Sequence, residues 1–233
     1  DYLLLFILRK CDANIFYYDM PKLFWGRLLN NEKIFIAPNT VFVNENNIKT
    51  SDKNYLLFLG SLVDGKGLFD LIEVMKDLYF SGFNLNLRIV GEGQLKLPLM
   101  NKIKEYDLEN FISVEGAIYS ESKLQSIFAG ALCLLSPHQA GLSVLKSMGH
   151  GVPVVSKFDS ITGGELYNIN ETNGFLFKTN AELKNIILKC QNNPELFISK
   201  GLEAKKFYFL NRTLRKMTEG FDEAIKYVLN TKL

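Results

Sequence analysis

The chain has 233 residues, of which 47% are hydrophobic and 22% charged, a balance that suits a globular protein with a sizeable core and excludes a disordered one. A formal net charge of +2 gives no electrostatic ground for a nucleic-acid or membrane-surface partner. Three widely spaced cysteines, Cys11, Cys133 and Cys190, read as buried free thiols, and only two histidines, His138 and His150, argue against a His-rich metal site.

The run Tyr2–Lys10 has no initiator Met, no basic start and no small-residue cleavage site, and it is far shorter than the roughly 20 residues a membrane span needs. It reads as the interior of a buried helix that begins upstream. Ala13–Tyr18 is β-rich, Pro21 opens a helix through Leu29, and Lys33–Ala37 is a strand stopped by Pro38 and Asn39. Asn44 to Asn54 is polar and rich in Asn and Lys, as a linker would be.

From Tyr55 strands and helices alternate. Leu56–Leu59 is a continuously apolar strand, suited to burial on both faces. Leu68, Leu71, Ile72, Met75 and Leu78 then recur at helical spacing. Further strands follow at Leu85–Val90, Phe111–Val114, Leu132–Leu135, Val152–Val155 and Gly174–Phe177. Helices at Leu97–Tyr106, Ser122–Ala129 (with Ser120 as N-cap) and Leu142–Met148 separate them. Six strands joined by helices imply an α/β fold with a doubly wound parallel sheet, whose ligands bind at the C-terminal strand ends.

Three loops lie at such ends. Gly60–Gly67 holds three glycines and Lys66, a mobile cation for a phosphate; Gly67 after the lysine rules out a Walker A loop. Gly91-Glu92-Gly93 is a second place where a ligand can approach main chain. The third, Ser136 to Gly141, leads into a helix whose first amides face the crevice. Lys146, eight residues after His138, lies about one turn into that helix. Helix starts and a lysine aimed at one crevice suit a diphosphate.

The ordered series Phe58-Leu59-Gly60-Ser61 with Lys66-Gly67, Ile89-Val90-Gly91-Glu92-Gly93, Val114-Glu115-Gly116, Ser136-Pro137, Gly141-Leu142-Ser143-Val144-Leu145 through Gly151-Val152-Pro153-Val154-Val155, Gly163-Gly164-Glu165 and Asn173-Gly174 resembles the C-terminal domain of family-4 (group 1) glycosyltransferases of the two-lobed GT-B type. The resemblance runs from Tyr55 to Phe177, and Ala37-Pro38-Asn39-Thr40-Val41 resembles the family's passage between its two domains. It implies residues 1–43 as a remnant of an acceptor-side domain, 44–54 as linker, 55–215 as a nucleotide-sugar-binding domain and 216–233 as a helix crossing back. Within 207–233, Phe207–Lys216 and Phe221–Leu229 read as two amphipathic helices.

By that resemblance the chain is a retaining transferase that moves a sugar from a UDP- or GDP-sugar to a carbohydrate or lipid-linked acceptor. It would use no cofactor and no metal. The implied catalytic pair is Lys66, on the leaving phosphate, and His138. The implied donor contacts are Gly60, Ser61, Gly91, Glu92, Ala117 and Ile118 by the base, Gln139, Ala140, Gly141, Leu142 and Ser143 by the pyrophosphate, and Lys146 and Glu165. The pattern also departs from the family. Ser61 stands where an Arg is usual, and His138 and Lys146 stand where two glutamates are usual, so Lys146 either meets a phosphate or pairs with a nearby acid, and Glu165 either supplies a missing carboxylate or stabilises its own loop. The Gln139–Leu145 variant resembles subgroups of surface-polysaccharide synthesis, which implies a cytoplasmic protein with peripheral association at the inner membrane through the acceptor-side domain. Two other readings stay open: a lobe that binds the nucleotide sugar without turnover, and a GT-B epimerase.

Overall fold

The computed structural model describes residues 2–20, 25–45 and 52–231. The chain divides into two compact units, Val43–Tyr208 and a smaller one made of Asp1–Phe42 with Phe209–Leu233.

The larger unit is built on a six-stranded sheet of β3 (Tyr55–Leu59), β4 (Asn86–Val90), β5 (Ile112–Glu115), β6 (Ala131–Ser136), β8 (Val154–Lys157) and β10 (Gly174–Phe177). All pairs are parallel, in the order β10-β8-β6-β3-β4-β5. This is the doubly wound sheet that the alternation of elements implies. The strands form where expected to within two residues. β8 starts at Val154 because Pro153 has no amide to give to the ladder. A two-stranded accessory pair, β7 (Gln139–Ala140) with β9 (Ile161–Thr162), has too few residues to show a periodicity in the sequence.

The core follows from the same pattern. Leu56, Leu57 and Phe58 of central β3 are buried on both faces. Helix α2 (Leu68–Tyr79) turns Leu68, Leu71, Ile72, Met75 and Leu78 onto the sheet, each at 2% exposure or less. At about 1.5–3 kcal/mol per fully buried side chain, this one helix face is a leading source of cohesion. Cys133 and Cys190 lie in the core as expected, whereas Cys11 is only half-buried.

The larger unit takes in Val43 and Lys53, ahead of residue 55. Val43 packs where a Cβ at Gly149 would lie 2.7 Å from its Cγ2, and the Lys53 ammonium donates to the Phe128 and Ala131 carbonyls at 3.3 and 2.9 Å. Residues 46–51 of the expected linker, and residues 21–24 at the start of the Pro21 helix, lie outside the described residues; from Trp25 the chain turns.

In the smaller unit β1 (Asn14–Phe16) and β2 (Ile34–Ile36) pair in parallel. Helix α8 (Leu214–Thr231) packs on them, with Gly220 against the Ile36 carbonyl and the Tyr227 ring 5.4 Å from that of Phe35. A continuous helix over Phe207–Lys216 does not form: α7 (Pro194–Asn211) ends, and Thr213 Oγ1 accepts the Lys216 amide at 3.3 Å to start α8. The helix α1 (Tyr2–Lys10) forms, but none of its residues is buried, contrary to the expectation of a buried one. Among the described residues no helix is long and apolar enough to cross a membrane.

The order of the sheet locates the crevice. From β3 the chain winds outward through β4 and β5, then returns to place β6 on the other side of β3. The reversal lies between β3 and β6, so the loops leaving those two strands flank the natural ligand crevice of an open α/β sheet.

One glycine holds the crevice wall together. A Cβ at Gly91 would lie 1.8 Å from the Gly60 carbonyl oxygen, a backbone atom that cannot swing aside. Gly91→Ala is therefore expected to lower unfolding stability by about 3 kcal/mol or more, read by urea titration. A loss under about 1 kcal/mol would show that the two loops separate easily.

Candidate functional site

The first two loops are joined along their backbones. The Gly60 amide donates to Val90 O at 3.1 Å, the Leu62 amide to Glu92 O at 2.8 Å and the Leu95 amide to Leu62 O at 2.9 Å. A Cβ at Gly93 would lie 2.3 Å from the Leu62 carbonyl oxygen. The close main-chain approach expected of a ligand at Gly91-Glu92-Gly93 is thus made by the Gly60–Leu62 backbone. Glu92 pairs with Lys96, its carboxylate 3.3 Å from where a Gly116 side chain would start. Ala117 and Ile118 follow in the turn after β5. Ile118, with Arg88, Glu115 and Ser122, lines a cavity of about 480 Å³.

The third loop closes on the first. Gly67 has φ +70°, and a Cβ there would meet the His138 ring at 2.7 Å. His138 thus rests on the glycine that starts α2, and its Nε2 is 3.1 Å from Asp70 Oδ2 on the same helix. Gly65, Gly67, Asp70, Leu95 and His138 line a cavity of about 210 Å³. Lys66, between the two glycines, is half-buried and has no acidic partner among the described residues. Burial lowers its pKa, as it does for any ammonium moved out of water without a counter-charge. Ser61 is exposed at the loop start.

Gln139 and Ala140 are tied into the β7–β9 pair, with the Ile161 amide on His138 O at 3.0 Å and Ser136 Oγ on Gln139 O at 2.7 Å. Around Gly141 the space is open, since a Cβ there would meet nothing within 4 Å. Leu142 is 47% exposed and precedes α5 (Ser143–Gly149), whose first amides have no partner within the helix. Gly141, Leu142 and Ser143 therefore border an unfilled part of the crevice.

Lys146 and Glu165 are both committed elsewhere. Lys146 Nζ donates to both carboxylate oxygens of Glu121, at 2.8 and 2.7 Å, with its side chain 14% exposed. Of the two sequence readings, a phosphate ligand or a partner of a nearby acid, the structure displays the second. Buried Glu165 accepts the Gly163 amide at 3.0 Å and the Thr162 hydroxyl at 3.2 Å, so its carboxylate stabilises its own turn and is not delivered to the crevice as a replacement for His138 or Lys146. Asn168 Nδ2 on Glu165 O and Asn173 Nδ2 on Asn168 O extend this network and account for the Gly-Gly-Glu and Asn-Gly motifs as loop structure.

Sequence reasoning passed over Glu121 and Asp70. Glu121 begins α4 (Glu121–Gly130), 25 residues from Lys146, and no spacing rule joins them. Asp70 had a fainter signal, as the acid in the first turn of the helix after the glycine loop. His150 caps the C-terminal end of α5. Its ring stacks on Phe128 at 4.8 Å and 7°, its side chain is 1% exposed, and Nε2 has no hydrogen-bond partner, lying 3.7 Å from Glu121 Oε1.

This architecture is the GT-B glycosyltransferase fold. Crystal structures of TarM match with a TM-score of 0.76 at 20% identity over 97% of this chain and 45% of theirs. Anabaena HepE in complex with UDP-glucose matches with a TM-score of 0.74 at 16% identity, over 97% of this chain and 66% of that one. Residues 42–206 match the family model for glycosyl transferases group 1, and the chain belongs to that family. An uncharacterized glycosyltransferase of Haemophilus influenzae is 28% identical over 81% of this chain and 54% of its own length. Protein CapJ of Staphylococcus aureus is 28% identical over 59% of this chain and 35% of its own. The chain thus spans about half or less of the length of these curated relatives.

The buried imidazole beneath the site has a measurable signature. Burial first, then the Lys146 ammonium, bring the His150 pKa down to about 4. Its unfolded value is about 6.5. Above pH 6.5 neither state binds the proton. Between 6.5 and 4 only the unfolded state does, so stability falls with pH by up to about 1.4 kcal/mol per unit and levels off below. His150→Phe keeps the stack and removes the proton site. Urea titrations across this window are expected to show a shallower acid loss in the variant; superimposable pH profiles would refute the neutral buried imidazole.

Proposed function

We propose that the crevice between β3 and β6 holds a nucleoside-diphosphate sugar, and that the protein is a retaining glycosyltransferase. The observation that carries this reading is Lys66: a half-buried ammonium with no acid beside it among the described residues, on the loop at the sheet's reversal point. A cation so placed is stabilised by an anion that arrives from outside, and a diphosphate brings one. Gly141, Leu142 and Ser143 supply amides on the opposite wall.

In this reading the glycosidic carbon–oxygen bond to the diphosphate breaks as Lys66 and the amides take up the charge on the leaving oxygens. His138, oriented by Asp70, touches the sugar or its phosphate. The acceptor hydroxyl attacks from the face the diphosphate leaves and gives its proton to the departing phosphate oxygen, which retains the anomeric configuration. No metal or other cofactor takes part. Crystal structures with UDP and UDP-glucose in HepE support a uridine nucleotide. The amylovoran biosynthesis glycosyltransferase AmsD of Erwinia amylovora, 27% identical over 57% of this chain, supports a role in polysaccharide synthesis, for which we propose a carbohydrate or lipid-linked acceptor.

Because the chain spans about half the length of those relatives, the second reading is donor binding without turnover by this chain alone. An epimerase is less favoured: it needs acid–base groups ready to exchange protons, and Asp70 and Glu121 are each held in a pair.

Calorimetric titration with UDP-, GDP- and ADP-glucose tests the donor site. One of them is expected to bind saturably, with or without EDTA. Lys66→Ala should weaken it about tenfold to a hundredfold, the value of one charge-assisted contact. Absence of saturable binding, or binding indifferent to Lys66→Ala, would remove the assignment.

A further inference from the structure

At the far edge of the sheet β10 has a neighbour, β8, on one side only. Along this edge runs a groove of about 640 Å³, floored by Phe175, Leu176 and Leu196 and opening past Phe158, Lys189 and Lys200. Its lining is mostly carbon. Phe175 stacks on Phe197 at 4.6 Å, which fixes the floor, while Phe158 at the mouth is 59% exposed.

The mouth is ringed by cations. Lys200 Nζ lies 4.7 Å from the Phe175 ring centroid and donates to the Glu171 carbonyl oxygen; Lys178 Nζ lies 5.5 Å from the Phe158 centroid. Lys189 has no acidic partner among the described residues. Two ammonium groups line the groove against one carboxylate, that of Glu171. Burial, then the Lys189 charge, lower the Lys200 pKa, so the two ammonium groups are close enough to repel each other.

Ammonium groups held over aromatic rings beside an apolar trough make an amphipathic mouth. We propose that this groove receives the acyl chain of a phosphate-headed lipid, with Lys189 and Lys200 on the phosphate. The charge of the rim selects an anionic amphiphile over a neutral one, and the carbon lining selects a hydrocarbon chain over a polar peptide. The site lies three strands from the crevice beside β3 and is independent of the donor-site reading. It would set the edge of the larger unit against an anionic membrane surface.

Co-sedimentation of the full chain with vesicles tests this. The chain is expected to partition onto phosphatidylcholine vesicles containing phosphatidylglycerol and not onto pure phosphatidylcholine. The double variant Lys189→Gln, Lys200→Gln should lower that partition about thirtyfold, and Phe158→Ser should lower it further, with circular dichroism melts confirming the fold. UDP-sugar titration of the same variants should match the parent, which separates this site from the crevice. The double variant Leu3→Ser, Phe6→Ser on exposed α1 should bind vesicles as the parent does. The proposal is overturned by no partition onto anionic vesicles, equal partition onto neutral ones, or partition unchanged in the lysine variant. Loss confined to the α1 variant, displacement by inorganic phosphate alone, or capture of poly-glutamate in preference to vesicles would each overturn it as well.

Discussion

The crevice depends on an approach between two backbones that only glycine permits. The Gly60 carbonyl occupies the space where any side chain at Gly91 would begin, and the Leu62 main chain does the same at Gly93. With these contacts made, three amide-to-carbonyl bonds join the loops after β3 and β4 into one wall. Lys66 follows four residues after Leu62 in the first of these loops. The opposite wall is set by a third contact of this kind, the His138 ring lying over Gly67. A site meant to neutralise charge gains most when its cations and amides are fixed before the ligand arrives, because no reorganisation is then needed.

The charges around the crevice divide into two groups. Lys146 with Glu121 and Lys96 with Glu92 are internally compensated, and the His138 imidazole is within hydrogen-bonding distance of Asp70. Lys66 has no acidic partner among the described residues, which is why we propose it for an incoming anion. The partly buried Lys146–Glu121 pair joins α5 to the start of α4, beside His150, whose pKa is lowered first by burial and then by the Lys146 charge. A second proton there would place two cations next to one carboxylate in a largely dry setting, which explains the direction of its pKa shift.

Much of the fold was legible in the chain because periodicity and glycine placement report local geometry. Leu68, Leu71, Ile72, Met75 and Leu78 bury as their spacing implied, and β3, β4, β5 and β6 end where the next residue is glycine or proline. What spacing could not report was who meets whom. Glu121 and Lys146 are 25 residues apart, and their contact exists only once β6 has returned beside β3. Gly91 read as a place for a ligand because a sequence shows that a side chain is missing, not which atom fills the gap. Glu165 read equally as a spare carboxylate and as a loop stabiliser, and nothing in Gly-Gly-Glu decides between them until the acid is seen to accept the Gly163 amide. The exposed face of α1 lay beyond periodicity too, because an apolar run does not say what covers it.

Amide hydrogen exchange with and without UDP-glucose reads directly where a nucleotide sugar meets this surface. Protection is predicted at residues 60–67 and 138–145, the loops leaving β3 and β6, with little change at the opposite strand ends around Asn86 and Ile112. Protection confined to those opposite ends, or spread evenly over the sheet, would contradict the placement of the donor at the reversal point.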